Sequence, residues 1–323
     1  MQHSRDILTG PCIGKVLIAA PVHPILLQGL ADRGCSFVVR ENITQSEAFT
    51  LIADCVGVIT STRIQLNKEL MDAAPCLKWI GRMGSGMEVV DTNYAAQKNI
   101  TVVASPEGNC NAVAEHALGM LLTLLHKIAW SHTEMINGIW HRDENRGSEL
   151  EKQTVGIIGY GHTGAAFAKK LSGMDVGIMA YDKYAPEKIP SYIKKCTHID
   201  EIFDETNIIS FHVPLQEDTL QYFNDDFLKN MKNEFILINT SRGKVVNIAT
   251  VLGGLASGKI KGACLDVFEV EPISGLDPFT GKLLEAQLLQ PNLIVTPHIA
   301  GYTFEALYKM SKVIFDKLTG KYQ

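Results

Sequence analysis

The chain has 323 residues, of which 46% are hydrophobic, and its formal net charge is −5. This length accommodates two domains of ordinary size, each with its own core. The mild negative charge leaves no basic face, which argues against nucleic acid as the main partner. The polar N-terminus and the shortness of the most apolar run, 117–125, predict a cytoplasmic protein that is not bound to a membrane.

Seven cysteines are scattered singly along the chain, and no two form a Cys-x-x-Cys pair. This pattern predicts reduced thiols, as expected of a cytoplasmic protein. The ten histidines form no His-x-x-x-His or His-Glu-x-x-His grouping, so we expect no metal site.

The first hundred residues alternate between predicted strands and helices. The predicted strands are 15–21, 36–40, 57–61, 77–82 and 101–105. The predicted helices are 23–31, 67–74 and 92–98, the second of which is capped by Asn67. This alternation predicts a parallel sheet that is covered by helices on both faces.

A long helical stretch is predicted next, from Asn109 to Ile139. Its apolar residues, among them Val113, Ala117 and Leu121, recur at helical spacing. Because the stretch exceeds the usual length of a helix in a globular domain, we expect it to bridge domains or to pack against a second subunit. A polar linker, 141–152, follows it.

The clearest motif lies where the second half of the chain begins. A strand at 154–159 leads into Gly159-Tyr160-Gly161-His162-Thr163-Gly164, a helix follows at 165–171, and a second strand at 176–181 ends at Asp182. This is the order of a βαβ unit that binds a dinucleotide. The glycines permit the tight turn, the close approach of a pyrophosphate and the packing of the helix on the strand.

Asp182 indicates which dinucleotide is bound. It follows Gly164 by 18 residues, close to the offset at which a carboxylate accepts hydrogen bonds from the adenosine ribose. A carboxylate at this place would repel a 2′-phosphate, so we predict NAD rather than NADP as the cofactor.

Further strands are predicted at 207–213, 235–240, 262–267 and 292–297, with Asn224 and Asn247 as helix caps and a final amphipathic helix at 303–318. Four of these strands end in polar residues: His212, Thr240-Ser241-Arg242, Asp266 and His298. Ligands of an open parallel sheet bind at the carboxyl ends of its strands. We therefore expect these residues to face one crevice beside the glycine motif.

Three of the polar residues suit a hydride transfer between nicotinamide and a 2-hydroxy acid. The planar guanidinium of Arg242 can bind a carboxylate in a bidentate manner. His298 can take or give the hydroxyl proton, and Glu271 can fix the tautomer of its imidazole. From spacing alone, Arg242 could equally form a salt bridge, His298 could be structural, and Glu271 could be a loop acid.

The chain resembles the D-isomer-specific 2-hydroxyacid dehydrogenases over nearly its whole length. The motifs that carry the resemblance are the glycine motif, His212-Val213-Pro214-Leu215, Asn239–Gly243, Leu265–Pro272 and Thr296–Gly301. The resemblance implies an α/β fold of two Rossmann-like, doubly wound parallel-sheet domains, with the cofactor domain inserted into the substrate domain. The implied substrate-binding domain is 1–105 plus 298–323, and the implied NAD-binding domain is 106–297.

The resemblance also implies roles for individual residues. The implied catalytic residues are Arg242, Glu271 and His298. The implied cofactor-binding residues are Gly159, Tyr160, Gly161, His162, Thr163, Gly164, Asp182, His212, Val213, Pro214, Thr240, Ser241, Asp266 (near the nicotinamide amide) and Gly301. A homodimer that forms through the helical stretch Asn109–Ile139 is implied as well.

Within the family, segment 80–86 resembles most the D-3-phosphoglycerate dehydrogenases that lack a regulatory domain. The implied substrate-binding residues are Arg63, Arg82, Met83, Gly84, Ser85 and Gly86. The two arginines would bind a phosphate, which makes 3-phospho-D-glycerate, on the route to L-serine, the expected substrate. If neither arginine reaches the substrate, a reductase of glyoxylate or hydroxypyruvate is the better hypothesis.

Two other classes of function use a similar fold or glycine loop. A nucleotide-sensing corepressor is compatible with the same fold, and turnover of a 2-keto acid with NADH would separate it from a dehydrogenase. A methyltransferase is disfavoured because it would need no Arg242, Glu271 and His298 at strand ends. A formate-type relative is disfavoured because that branch carries glutamine in place of Glu271.

Overall fold

The computed structural model describes residues 7–8, 14–184 and 186–322. The chain folds into two compact units: unit 1 comprises Met1–Cys110 and Tyr302–Gln323, and unit 2 comprises Asn111–Gly301. Each unit contains one wholly parallel sheet with helices, which confirms the predicted α/β fold class.

The junctions between the units lie four to five residues later than the predicted ones. At the first junction, Lys317 Nζ donates to both carboxylate oxygens of Glu107, at 2.8 and 2.9 Å, and holds that segment in unit 1. At the second, the carboxylate of Asp266 accepts the N–H groups of Ile299 and Ala300. His298 therefore belongs to unit 2 and not to the predicted substrate domain.

Unit 1 contains a five-stranded sheet in the order β2-β1-β3-β4-β5. Its elements are β1 (Lys15–Ala19), α1 (Pro24–Asp32), β2 (Ser36–Val39), α2 (Gln45–Leu51), β3 (Cys55–Thr60), α3 (Lys68–Asp72), β4 (Trp79–Arg82), α4 (Thr92–Gln97) and β5 (Thr101–Ala104). The last helix of the chain, Phe304–Leu318, also belongs to this unit. Two buried apolar clusters, represented by Leu17 and by Val16, cover the two faces of the sheet.

Local capping explains where several of these helices begin. Asn67 accepts the N–H of Leu70, so its predicted role as a cap is confirmed. Helix α2 is absent from the prediction, although Thr44 and Glu47 form a capping box at its start. The Thr-x-x-Glu spacing was the signal that could have revealed this helix.

Unit 2 contains a seven-stranded sheet. Its elements, after α5 (Pro106–Leu125), which begins in unit 1, are α6 (Ile128–Ile136), β6 (Thr154–Ile158), α7 (His162–Leu171), β7 (Gly177–Tyr181), β8 (Lys194–Cys196), α8 (Asp200–Glu205), β9 (Ile208–Phe211), α9 (Asp225–Asn230), β10 (Phe235–Asn239), α10 (Ile248–Ser257), β11 (Ile260–Leu265), α11 (Pro278–Leu288) and β12 (Leu293–Val295). The helix Phe304–Leu318 is α12. Asn224 and Asn247 cap α9 and α10, as predicted.

The order of the strands determines where a ligand can bind in unit 2. The order is β12-β11-β10-β9-β6-β7-β8, so the chain winds outward in both directions from β6. The carboxyl ends of β6 and β9 flank the point where the winding reverses, which is the usual ligand crevice of such a sheet. The glycine motif follows β6, and His212 follows β9.

The predicted single helical stretch Asn109–Ile139 is wrong, because it is broken into α5 and α6, which meet at 62°. Lys127 adopts a left-handed backbone conformation with φ of 50° at the break. The carbonyl of Leu125 accepts the N–H of Ser148 from the returning chain. Helix α5 packs Ala117 and Leu121 into the core, whereas α6 has no buried residue, so burial supports the first helix only.

The prediction of seven reduced cysteines is wrong at Cys35, which is disulfide-bonded. Cys12 lies outside the described residues. Cys55, Cys196 and Cys264 are buried free thiols, and burial raises the pKa of Cys55 and of Cys196 to about 11.

Among the described residues, no single helix has the length and apolar composition of a membrane span, whereas the bent pair α5 and α6 meets these criteria together. Within the same part of the chain, no group of three or more histidine, cysteine, aspartate or glutamate residues is arranged to hold a metal ion.

Candidate active site

The glycine motif forms a tight turn between β6 and α7. Gly159 has φ of +94°, and a Cβ there would lie 2.7 Å from the carbonyl carbon of His212. A Cβ on Gly164 would lie 2.0 Å from the carbonyl oxygen of Gly159, whereas one on Gly161 would meet open space. The first and third glycines are therefore required by the fold, and the second leaves room for a ligand.

The start of α7 is suited to bind an anion. Gly161 is the N-cap and makes no side-chain hydrogen bond to the first turn of the helix. Unsatisfied N–H groups and the positive end of the helix dipole attract a phosphate. The buried hydroxyl of Thr240 has no hydrogen-bond partner in the described part of the chain. A bound dinucleotide would satisfy both features.

Asp182 lies at the carboxyl end of β7, beside the glycine turn. Its Oδ2 accepts the N–H of Tyr160 at 2.6 Å, and its Oδ1 accepts the N–H of Tyr184 at 2.6 Å. Each carboxylate oxygen retains a lone pair after these bonds, and the side chain is partly exposed. Asp182 therefore has acceptor capacity left for further donors, and its contact with a ribose stays a prediction.

His212 forms the buried floor below the turn. Its Nε2 lies 2.8 Å from Ser210 Oγ, and its ring packs against Phe167 with the centroids 5.3 Å apart. Burial lowers the pKa of His212 to about 3, so the ring is neutral at physiological pH. The side chain supports the turn, while Val213 and Pro214 continue the chain beyond the end of β9.

Two of the predicted catalytic side chains are in contact. His298 Nδ1 lies 2.7 Å from Glu271 Oε2, and the two side chains are 46% and 37% exposed. Glu271 Oε1 accepts the N–H of Phe268 at 3.0 Å, which fixes the carboxylate. This geometry orients the imidazole and leaves its Nε2 as the nitrogen that does not contact Glu271.

Asp266 holds the loop that carries His298. Only 1% of this residue is exposed. Its Oδ1 accepts Thr296 Oγ1 at 2.5 Å and Ile299 N at 2.8 Å, and its Oδ2 accepts Ala300 N at 2.9 Å. The carboxylate predicted to lie near the nicotinamide amide thus already binds three donors of the loop that carries His298. Gly301 is the last residue of unit 2.

Arg242 lies on a turn that packs against the turn leading to Glu271. Asn239 fixes its turn, because Asn239 Oδ1 accepts both Ser241 N and Ser241 Oγ and its Nδ2 donates to Arg242 O. A Cβ on Gly243 would lie 1.7 Å from the carbonyl oxygen of Phe268. Arg242 Nη1 also donates to Ser241 O at 2.7 Å.

The predicted substrate-binding residues lie in unit 1. Arg63 is exposed, whereas Arg82 is only 6% exposed and its Nη1 donates to Met83 O. Gly84, with φ of +125°, donates its N–H to Ser105 Oγ at 3.0 Å. Arg82 and Ser105 thus support the loop that also contains Ser85 and Gly86.

The sequence predicts no individual role for three residues of this site: Asn239, Thr296 and His116. The first two end strands or follow them, where a polar side chain often closes a turn onto its own backbone. His116 lies on α5, and no pattern in the sequence predicts its contact with Thr296. One cavity of about 180 Å³, beside Lys127, Arg146 and Lys261, contains none of the predicted site residues.

A parallel sheet with this glycine turn, a carboxylate at the end of the next strand and an oriented His–Glu pair is typical of dinucleotide-dependent oxidoreductases. Residues 118–300 match the family model described as D-isomer specific 2-hydroxyacid dehydrogenase, NAD binding domain. The chain belongs to the D-isomer specific 2-hydroxyacid dehydrogenase family, as the sequence motifs predicted. The match to this NAD-binding model confirms a nicotinamide cofactor.

Individual relatives differ in the reaction that their names give. A hydroxypyruvate reductase of Thermotoga maritima is 32% identical over 306 residues, which cover 94% of this chain and 97% of the relative. A D-3-phosphoglycerate dehydrogenase of Archaeoglobus fulgidus is 30% identical over 94% of this chain, but the chain spans only 56% of that relative. The D-lactate dehydrogenase of Aquifex aeolicus, solved with NAD and lactic acid, has a TM-score of 0.80 at 27% identity, covering 95% of this chain and 96% of its own.

Proposed function

We propose that the chain transfers a hydride reversibly between nicotinamide and C2 of a small D-2-hydroxy acid. The contact between His298 Nδ1 and Glu271 Oε2, at 2.7 Å, carries this proposal. A carbonyl that is reduced to a hydroxyl needs one proton at its oxygen, and an imidazole oriented by a carboxylate is suited to supply it.

In this proposal, His298, Glu271 and Arg242 of unit 2 each have a separate role in the reaction. The nicotinamide, when bound, supplies or accepts the hydride. In reduction, the His298 imidazolium donates the Nε2 proton to the carbonyl oxygen, and in oxidation the neutral ring removes the hydroxyl proton. Glu271 stabilises the imidazolium in both directions. Arg242 binds the carboxylate of the substrate through its guanidinium.

We propose NAD(H) rather than NADP(H) as the working cofactor. Asp182 is a partly exposed carboxylate beside the glycine turn. It can accept hydrogen bonds from the two ribose hydroxyls, and its charge would repel a phosphate on the 2′-oxygen. The roles of Gly161, His162 and Thr240 in binding the dinucleotide belong to the same proposal.

The substrate that we favour is unphosphorylated, with hydroxypyruvate or glyoxylate as the first candidates. Phosphate recognition was predicted to need Arg63 and Arg82, and the guanidinium of Arg82 is buried against the carbonyl of Met83. Only Arg63 of this pair is exposed. The second candidate is 3-phosphohydroxypyruvate bound through Arg63, which would place the protein in L-serine biosynthesis.

The oxidation of NADH by the purified protein tests these proposals. Glyoxylate, hydroxypyruvate and 3-phosphohydroxypyruvate are compared at equal concentration, with wild-type protein and with Arg63→Gln. We expect hydroxypyruvate or glyoxylate to be reduced faster than the phosphorylated acid. Arg142→Gln, at an exposed arginine of the polar linker, is the control. If the phosphorylated acid is preferred and only Arg63→Gln loses that preference, the second candidate replaces the first. If no 2-keto acid is reduced, the dehydrogenase proposal fails.

We also propose a homodimer that forms through α6 and the residues after it. The exposed apolar side chains of this surface are Ile128, Met135, Ile136, Ile139 and Trp140, which are 40% to 76% exposed. An apolar patch of this kind is typical of a protein–protein interface. Light scattering should give twice the mass of the chain, and Ile136→Glu should give one chain, while Phe49→Glu, at an exposed apolar residue of unit 1, should leave the mass unchanged. The cytoplasmic location stays a prediction.

A further inference from the structure

The loop Thr296–Ala300 holds His298 in an unusual conformation. The φ of His298 is +55°, a left-handed value that residues other than glycine rarely adopt. Its N–H is shared between Asp266 O at 2.8 Å and Thr296 O at 3.0 Å. A conformation of this kind persists only where the surrounding contacts impose it. The position of His298 therefore depends on Thr296 and Asp266.

We propose that His116 is a positioning residue that holds the loop Thr296–Ala300 through a relay of hydrogen bonds, from His116 to Thr296 and from Thr296 to Asp266. The proposal rests on the function assigned to His298 above. His116 Nε2 lies 3.0 Å from Thr296 Oγ1 and 3.7 Å from Asp266 Oδ1. These contacts join helix α5 to the loop that carries His298, far away in the sequence.

The direction of each hydrogen bond follows from the groups themselves. An ionised carboxylate can only accept, so Thr296 must donate its single hydroxyl proton to Asp266 Oδ1, at 2.5 Å. The oxygen of Thr296 is then an acceptor toward His116. His116 must therefore carry a proton on Nε2. The relay thus determines which nitrogen of His116 bears a hydrogen in the unliganded protein.

The relay reaches both sides of His298. On the amino-terminal side it fixes Thr296, whose carbonyl accepts the His298 N–H. On the carboxyl-terminal side Asp266 binds the N–H groups of Ile299 and Ala300. Loss of the His116 donor would remove one of the contacts that fix Thr296 Oγ1, which also lies 3.8 Å from Met120 Sδ. Small displacements of an acid–base group can cost about 10²-fold in rate, so the relay should affect turnover.

Two substitutions of His116 separate positioning from general packing. His116→Gln retains an N–H donor that can reach Thr296, whereas His116→Leu removes it. We expect His116→Leu to lower kcat for 2-keto acid reduction by about 10- to 10²-fold, with the Kd for NADH, measured by fluorescence, unchanged. We expect His116→Gln to recover kcat to within about threefold of wild type. Leu121→Met, at a buried residue of the same helix, is the packing control and should retain kcat.

A double variant tests whether His116 acts through Thr296. If it does, His116→Leu combined with Thr296→Val should have the same kcat as Thr296→Val alone, because the relay is already broken. If the kcat of the double variant equals the product of the two single losses, the relay is overturned. A His116→Gln variant as slow as His116→Leu would also overturn it.

A measurement on the unliganded protein keeps this inference separate from the dehydrogenase proposal. In protein labelled with 15N-histidine, the relay predicts a protonated Nε2 for His116, identified by the signal that His116→Gln removes. Thr296→Val should shift that signal or speed its exchange with water. An unprotonated Nε2, or a signal indifferent to Thr296→Val, would overturn the relay. Absence of turnover by the wild-type protein, with the predicted signals present, would instead reject the proposed function alone.

Discussion

Replacing Glu271 by glutamine tests the origin of proton transfer at His298. Glutamine can retain an oxygen acceptor for the N–H of Phe268, but it presents a neutral amide to His298 Nδ1. At a separation of 2.7 Å, two unit charges attract by about 1.5 kcal/mol in water and by about 6 kcal/mol at the effective dielectric of a protein surface. Both side chains are more than one-third exposed, so the contribution lies toward the lower value.

Loss of about 1.5 to 3 kcal/mol from the imidazolium corresponds to about a 10- to 150-fold lower kcat for keto-acid reduction. Because exposed ion pairs contribute about 1 kcal/mol or less to folding, we expect the free energy of unfolding to change little. Steady-state oxidation of NADH, combined with thermal unfolding, measures both effects. Glu285→Gln, at an exposed residue of α11, is the control. A Glu271→Gln enzyme within twofold of the wild-type kcat would refute the electrostatic role of Glu271.

The glycine turn, Asp182 and the buried His212 give three further predictions. Gly164→Ala should lower the free energy of unfolding by about 1–3 kcal/mol, because its Cβ would meet the Gly159 carbonyl at 2.0 Å. Gly161→Ala should weaken NADH binding, measured by fluorescence, and should leave the free energy of unfolding unchanged. Equal melting temperatures for Gly164→Ala and Gly161→Ala would contradict this difference between the two glycines. Asp182→Asn should reduce the preference for NADH over NADPH in kcat/KM by about 10-fold; an unchanged ratio would exclude charge repulsion. Burial holds the pKa of folded His212 at about 3, below the ordinary value of 6.5. The unfolded chain therefore binds the extra proton, and stability falls as the pH falls from 6.5 toward 3. Between pH 7 and 5 the wild type should lose about 2 kcal/mol more than His212→Gln in denaturant unfolding, and parallel losses would contradict the buried, neutral ring.

The sequence predicted the order of the motifs and every strand except β8, because these features depend on local patterns. The alternation of apolar strands and helices predicted both parallel sheets. The glycines at 159, 161 and 164 predicted the turn after β6. Asn67, Asn224 and Asn247 cap helices where predicted. Each of these predictions needs only residues that are close together in the chain.

The errors arose where distant contacts decide the structure. The apolar periodicity of 109–139 continues past Leu125, but the returning chain at Ser148 takes up the Leu125 carbonyl and the helix bends. The unit to which His298 belongs depends on bonds from Asp266, more than thirty residues earlier. The burial of Arg82 depends on how its loop folds back over it. No spacing rule contains this information.

The stereochemistry and acid–base requirement of the reaction test the central claim most directly. The purified protein is given NAD with D-glycerate or, separately, L-glycerate, and His298→Ala is measured in parallel. We expect NAD to be reduced with the D-isomer alone, and we expect His298→Ala to lose at least about 10²-fold in kcat, the usual contribution of one general acid–base group. Equal rates with both isomers, or wild-type turnover by His298→Ala, would contradict the account.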